Sequence, residues 1–177
     1  MVFPQIISGG QTGADRAGLN WAISNGVPHG GWCPRGRKAE DGQIPNAYLL
    51  QETVSADYPE RTEKNVLFSD ATVIFTLAPK LGRGSRLTVK LAQRLQKPWL
   101  HIHSQTPQPG KLLAAFICSK QISRLNVAGS RASKEPGIGE FVQHVLDQAR
   151  RLLLNVGCKI SCSDGLEQND GSKLSGV

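Results

Sequence analysis

Short apolar runs alternate with longer amphipathic ones along this chain, and glycine or proline separates them. Brief β-branched runs ended by turn formers read as buried strands, and apolar positions recurring every three or four residues read as helices. Phe3 to Ser8 is accordingly a strand. Asp15 to Ser24 is a helix with Ala14, Ala17, Gly18, Trp21 and Ala22 on one face and Asn25-Gly26 as its stop. "GGWCP" reads as a short strand ended by Pro34, Glu60 to Phe68 as a helix, and "ATVIFTL" (71–77) as the clearest strand. "GRGSRLTVKLAQRLQ" is a helix entered through glycines and stopped before Pro98. "PWLHIH" is the next strand, Lys111 to Cys118 a helix, and "QISRLNVAG" a further strand. Gly139 to Leu154 is a last helix, with Phe141, Val142, Val145, Leu146, Ala149 and Leu153 on one side. Residues 34–59 show little period and many turn formers, so a long ordered loop or excursion is expected there.

Strands alternating with helices imply βαβ units, a mainly parallel sheet and helices on both faces. The fold class expected is α/β, a single Rossmann-like domain over residues 1–155. In such sheets ligands sit beyond the carboxyl ends of the strands. The tail, 156–177, is polar and rich in glycine and serine, which predicts a flexible segment.

The first of those strand ends carries "GGQTGAD". Gly9 and Gly10 tolerate positive φ and have no Cβ to hold a ligand away. The helix that follows presents unpaired N–H groups and a partial positive charge, and loop plus helix N-terminus together make a phosphate cradle. Gln11 or Thr12 can add a side-chain hydrogen bond, and Gly13 eases entry to the helix. Asp15 would repel phosphate unless it caps the helix, meets a ribose hydroxyl or meets a cation. The alternative is a tight strand-to-helix turn with no ligand. The spacing is neither GxGxxG nor a Walker A loop, so neither NAD nor ATP follows from it. "LGRGSRLT" (81–88) repeats the arrangement, making Gly82, Gly84 and Ser85 a second candidate cradle if both strand ends lie on one side.

The blocks "GGQTGADRAGL", "GGWCPRGRKAEDGQIP", "SADYPERTEKNVLFSDATVIF" and "LNVAGSRASKEPGI" resemble, in this order, those of the molybdenum carrier family. That family is related to YpsA and to the lonely-guy, or lysine-decarboxylase-like, Rossmann proteins. The resemblance spans roughly residues 3–150. It implies glycine loops that hold a phosphate-bearing, nucleotide-like ligand, with a molybdenum cofactor or a nucleotide as cargo. Carried over by position, the first loop is Gly9, Gly10, Gln11, Thr12, Gly13 and Asp15, and the Arg-Thr-x-x-Asn block supplies Arg61 and Asn65. Arg61 has the alternative of pairing with Glu60 or Glu63 on the surface. Where the family shows Gly-Gly-Thr this chain has Arg83, Gly84 and Ser85, and Arg86, Leu87 and Thr88 replace the glutamates of lonely-guy enzymes. Without those carboxylates, cleavage of nucleoside monophosphates is not expected.

Composition narrows the partners. The formal net charge is +7 and the tail, with Asp164, Glu167 and Asp170, does not carry it, so the body attracts anions. Apolar content of 39% suits a soluble domain, no run is long enough to span a bilayer, and no secretion signal is evident, so a cytoplasmic protein is expected. Cys33, Cys118, Cys158 and Cys162 are too unevenly spread for a disulfide framework. Cys33 reads as a buried, inert thiol; the alternative is that Arg35, Arg37 and Lys38 beside it lower its pKa and suit it to metal ligation. Arg131 and Lys134, with Glu135 in the same loop, offer either an anion clamp or an interface. His101 and His103 share a strand face without metal-site partners and read as structural.

Arg86, Lys90 and Arg94 form a basic stripe, a solvated face or one answered by acids across a homo-oligomer contact. It lacks interleaved aromatics, which argues against nucleic acid. The leading function is a binding or carrier protein for a small phosphorylated ligand. An enzyme acting on a nucleotide-derived substrate, with Asp15, Glu40, Asp41 or Glu135 as acid/base, is the second reading.

Overall fold

The computed structural model describes residues 2–163. In chain order the elements are β1 (Gln5–Ile7), α1 (Ala14–Ser24), β2 (His29–Cys33), β3 (Lys38–Ala39), β4 (Gly42–Gln43), β5 (Leu50–Glu52), α2 (Tyr58–Leu67), β6 (Ala71–Thr76), α3 (Arg83–Arg94), β7 (Trp99–His103), α4 (Pro109–Ser119), β8 (Arg124–Gly129) and α5 (Ile138–Ser163). Six strands form one parallel sheet in the order β5-β2-β1-β8-β6-β7. The chain is a single Rossmann-like α/β domain whose last strand fills the middle of the sheet.

The connections follow one rule. Steps toward the β5 edge run through α1 and α4, which pack with α5 on one face. Steps toward the β7 edge run through α2 and α3, which pack together on the other. A single crossover hand requires that division. Every residue of β6 is buried, as expected of a strand covered on both sides. Ile6, Leu125, Val127, Val73 and Phe75 supply the core beneath α1, α4 and α5, and Phe75 meets Phe141 edge-on with ring centroids 6.2 Å apart. Because the strands are parallel, β1, β8 and β6 all end on one edge, side by side.

The excursion over residues 34–59 contains short strands that its composition does not announce. After a 3₁₀ turn at Arg35–Arg37 they form the antiparallel β3–β4 hairpin, and then β5 joins β2 in parallel. The organiser is buried Arg37, whose guanidinium donates to the carbonyls of Ile44 (2.9 Å), Pro45 (2.8 Å), Tyr48 (3.1 Å) and Leu50 (3.2 Å). Such side-chain-to-backbone bonding leaves no hydrophobic period to read. The last helix also runs beyond Leu154, to Ser163; the side chains of Cys158 and Cys162, and residues 164–177, lie outside the described residues. Among the described residues no helix is long and apolar enough to cross a membrane.

At the amino edge Asp70 ties β6 to β8. Its carboxylate accepts the amides of Arg124 (2.7 Å) and Ser123 (3.0 Å) and lies 3.3 Å from the Arg124 guanidinium. Burial pushes this carboxyl up, but those donors outweigh it and hold the pKa below its ordinary value of 3.8. A depressed folded-state pKa contributes stability above the unfolded pKa that is lost as pH falls through the folded one. The stability advantage of wild type over Asp70→Asn in urea titrations therefore shrinks as pH drops from neutrality to below about 3.9.

Candidate functional site at the carboxyl edge

The β1–α1 loop closes on the protein itself. A Cβ at Gly9 would lie 1.8 Å from Nη1 of Arg61, so this glycine makes room for a guanidinium. Gly10 faces Leu50 and Ile44 in the same way. Gly13, at φ +82°, lets the β8 loop pass: a Cβ there would meet the Ser130 carbonyl at 2.4 Å, and Ala14 N–H donates to that carbonyl at 3.0 Å. Two further loop amides are also engaged. Gln11 N–H donates to Asp15 Oδ2 (3.4 Å), and Thr12 N–H donates to the Gln11 side-chain oxygen (3.0 Å). Within the loop, the carboxylate that the Gln11 amide meets is that of Asp15.

Asp15 also resolves Arg61. The Arg61 guanidinium lies 2.9 Å from Asp15, both side chains largely buried, and not against Glu60 or Glu63. Glu60 pairs with Lys64, and Glu63 with Arg94 of the basic stripe. Burial pushes the Asp15 carboxyl up, and it stays raised even though Arg61 and the amides of Gln11 and Gly9 pull it down. Asn65, a turn beyond Arg61, serves the sheet: it donates to the Trp32 carbonyl (2.9 Å) and accepts its N–H (2.8 Å).

One strand over, at the end of β6, Leu77 N–H and Ala78 N–H donate to the Glu135 carboxylate at 2.6 and 3.2 Å. The turn that follows is open. Nothing lies within 4 Å of a Cβ placed on Gly82 or Gly84, and the first turn of α3 has neither a side-chain cap nor an acidic residue. Ser85 is buried beneath it, while Arg83 is exposed.

Between the two glycine loops runs the loop after β8. Its Arg131 guanidinium stands 4.9 Å from the Tyr58 ring centroid, and Arg61 stands 5.8 Å from the same ring. Arg131 Nη1 is 3.7 Å from Glu40, Ser133 Oγ donates to Glu40 at 2.7 Å, and Thr12 Oγ1 donates to it as well. Burial works against the Glu40 carboxylate, but Thr12, Ser133 and Arg131 together hold it below the usual range. The β3–β4 hairpin that carries Glu40 is pinned by Arg16, bidentate on Asp41 at 2.5 and 2.8 Å. Lys134 is exposed in the same loop.

Thus Gly9 to Gly13, Asp15, Arg61 and Arg131 form one cluster, and Gly82, Gly84 and Ser85 lie on the same edge with β8 between. Asn65 is the member turned to another task. The model of the circularly permutated YpsA SLOG family matches residues 6–150. The chain belongs to that family. It is similar to a crystal structure at 1.45 Å resolution of the "putative molybdenum carrier protein" of Syntrophus aciditrophicus SB, at 45% identity over 83% of this chain and 94% of that one, with a TM-score of 0.80. No curated protein matches.

Three features of this permutated YpsA-family site had no sequence signal. Tyr58, Ser133 and Arg16 occupy ordinary polar spacings, and only the fold assembles them. Cys33 is fully buried and burial raises its thiol pKa, although Arg37 acts to lower it. That suits an inert thiol better than a metal ligand, and among the described residues no group of His, Cys, Asp and Glu is placed to hold a metal ion. His101 bonds to Thr76 at 2.7 Å and its ring lies 5.4 Å from that of His103. A cavity of about 240 Å³ beside Trp32 and Phe68, and one of about 490 Å³ beside Val2 and Cys118, lie away from this edge.

Removing Arg61 tests the buried pair. Arg61→Met leaves Asp15 buried and unpaired, at a cost of about 3–5 kcal/mol near neutral pH. A carboxyl with a raised folded pKa loses stability as pH rises through that value, so this variant recovers stability as pH is lowered. Urea titrations across pH check both parts, and Gly9→Ala, which must push Arg61 aside, follows the same pattern.

Proposed function

We propose that this member of the permutated YpsA family is a binding or carrier protein for a small ligand bearing a phosphate or similar oxyanion. The ligand sits on the carboxyl edge between the β1, β8 and β6 loops. The single observation that carries the reading is the open, uncapped first turn of α3, with Gly82 and Gly84 leaving space above it, on the same edge as Arg131, Lys134 and Arg61. Helix N-terminal amides favour negative charge, and arginine adds bidentate donors for an oxyanion. Tyr58, already under two guanidinium groups, offers an aromatic face to a nucleotide-like body.

The name of the Syntrophus relative suggests molybdenum as the cargo. Direct coordination does not fit the residues present: Cys33 is buried with a raised thiol pKa, and no ligand cluster is formed among the described residues. Molybdenum held through oxygen, as molybdate or within a cofactor bearing phosphate, does fit a set of N–H and guanidinium donors. The enzyme reading draws less support, since Asp15, Glu40, Asp41 and Glu135 are each occupied by donors and none is poised as a base.

Gly84→Asp tests the site without disturbing packing. It places a carboxylate on the first turn of α3 in open space, where it favours the helix by about 0.3–1 kcal/mol. Wild type warmed with ADP-ribose, nucleotides or molybdate melts higher than without them, and Gly84→Asp loses that response while melting no lower by itself. A folded wild type indifferent to every oxyanion ligand in calorimetry sinks the reading.

A further inference from the structure

Asp15, Glu135 and Glu40 each place a carboxylate on donors at the carboxyl edge, and they differ in how firmly they are held. Asp15 is buried on α1 and paired with Arg61. Glu135 is half-buried and closes the amides of Leu77 and Ala78 from a loop in direct contact with them. Glu40 alone reaches its donors from outside, on a hairpin whose ladder is two residue pairs long, Lys38 with Gln43 and Ala39 with Gly42. A two-stranded ribbon of that size has little stability of its own. Its tether is the Arg16–Asp41 pair, whose Arg16 side chain is 16% exposed and whose Asp41 side chain is 48% exposed.

The seat it fills is complete without it. Thr12 Oγ1, Ser133 Oγ (2.7 Å), Ser133 N–H (3.4 Å) and Arg131 Nη1 (3.7 Å) come from the β1 and β8 loops, not from the hairpin. A buried carboxamide adjoins Glu40. The Gln11 carboxamide, 3% exposed, takes Glu40 N–H on its oxygen at 3.0 Å, while its Nε2 is buried with no acceptor among the described residues. A carboxylate has two oxygens, and an unanswered buried donor costs stability. A tetrahedral oxyanion brings a third.

We infer that Thr12, Ser133, Arg131 and Gln11 form an oxyanion seat that Glu40 occupies as an internal competitor, and that a phosphate- or molybdate-like ligand displaces Glu40 and lifts the hairpin. The inference rests on the oxyanion-binding reading above and names its gate. The charges facing the seat are Arg131 on one side and, through the hairpin, the neutralised Arg16–Asp41 pair on the other. Removing the Glu40 carboxylate therefore leaves the donors in place and the local charge more positive.

The experiment is calorimetric titration of sodium phosphate, molybdate and ADP-ribose into wild type, Glu40→Ala and Asp41→Ala, with circular dichroism as the check on folding. Glu40→Ala binds at least tenfold more tightly than wild type for the ligand that fits. Asp41→Ala, which keeps Glu40 but loosens its tether, binds several-fold more tightly. Adding Ser133→Ala to Glu40→Ala abolishes the gain. Which of phosphate and molybdate gains more identifies the oxyanion. Equal or weaker binding by both single variants overturns the internal competitor. If wild type still binds in that case and Gly84→Asp does not, the oxyanion reading survives alone; silence from every protein removes both.

Discussion

Parallel strands that finish side by side bring their last amides, and the first amides of the helices after them, to a single edge. Those donors must find acceptors or water. In this protein the edge of β1, β8 and β6 answers much of that demand from within, through Asp15, Glu135 and Glu40. The rest of the edge is arranged around these carboxylates. Gly9 gives Arg61 its path to Asp15, Gly13 brings the Ser130 carbonyl onto α1, and the hairpin exists within reach because Arg37 gathers the carbonyls at its base. What the protein leaves unanswered, the first turn of α3, is what an outside anion can use.

This arrangement orders the edge by rigidity. The Asp15–Arg61 pair joins α1 to α2 across opposite faces of the sheet, so it acts as a fixed strut. Glu135 locks the β8 loop to the end of β6. Only the hairpin contact joins a small, exposed element to the frame. Basic surface elsewhere follows a different logic. Arg94 reaches Glu63 and Lys97 the Ser69 carbonyl, so the stripe on α3 is partly answered inside the chain.

The sheet and its helices were legible because periodicity and turn residues act locally. Each of α1 to α5 starts within a few residues of where caps, prolines and glycines place it. The site was legible only as a list of positions. A glycine in the sequence announces that a Cβ is unwelcome, not what stands in its place; at Gly9 the occupant, Arg61, is far along the chain. Glu40 meets Ser133 across a gap of 93 residues, and nothing near either residue marks the meeting. For the Cys33 thiol both readings stood open, because neighbouring cations are visible in sequence and depth of burial is not. The strands inside the excursion after β2 were not legible because its order comes from one guanidinium and four carbonyls.

The central place of β8 bears on how the chain is made. During synthesis β1, β2 and β5 emerge early, then β6 and β7, and neither group has its missing neighbour. The strand that joins them leaves the ribosome after both groups, and α5, which covers it, leaves later still. Contacts of such long sequence separation are slow to form. Until then two half-sheets carry open inner edges, which are sites for mispairing with other chains. A nascent chain of this design is most in need of a chaperone just before its last strand arrives.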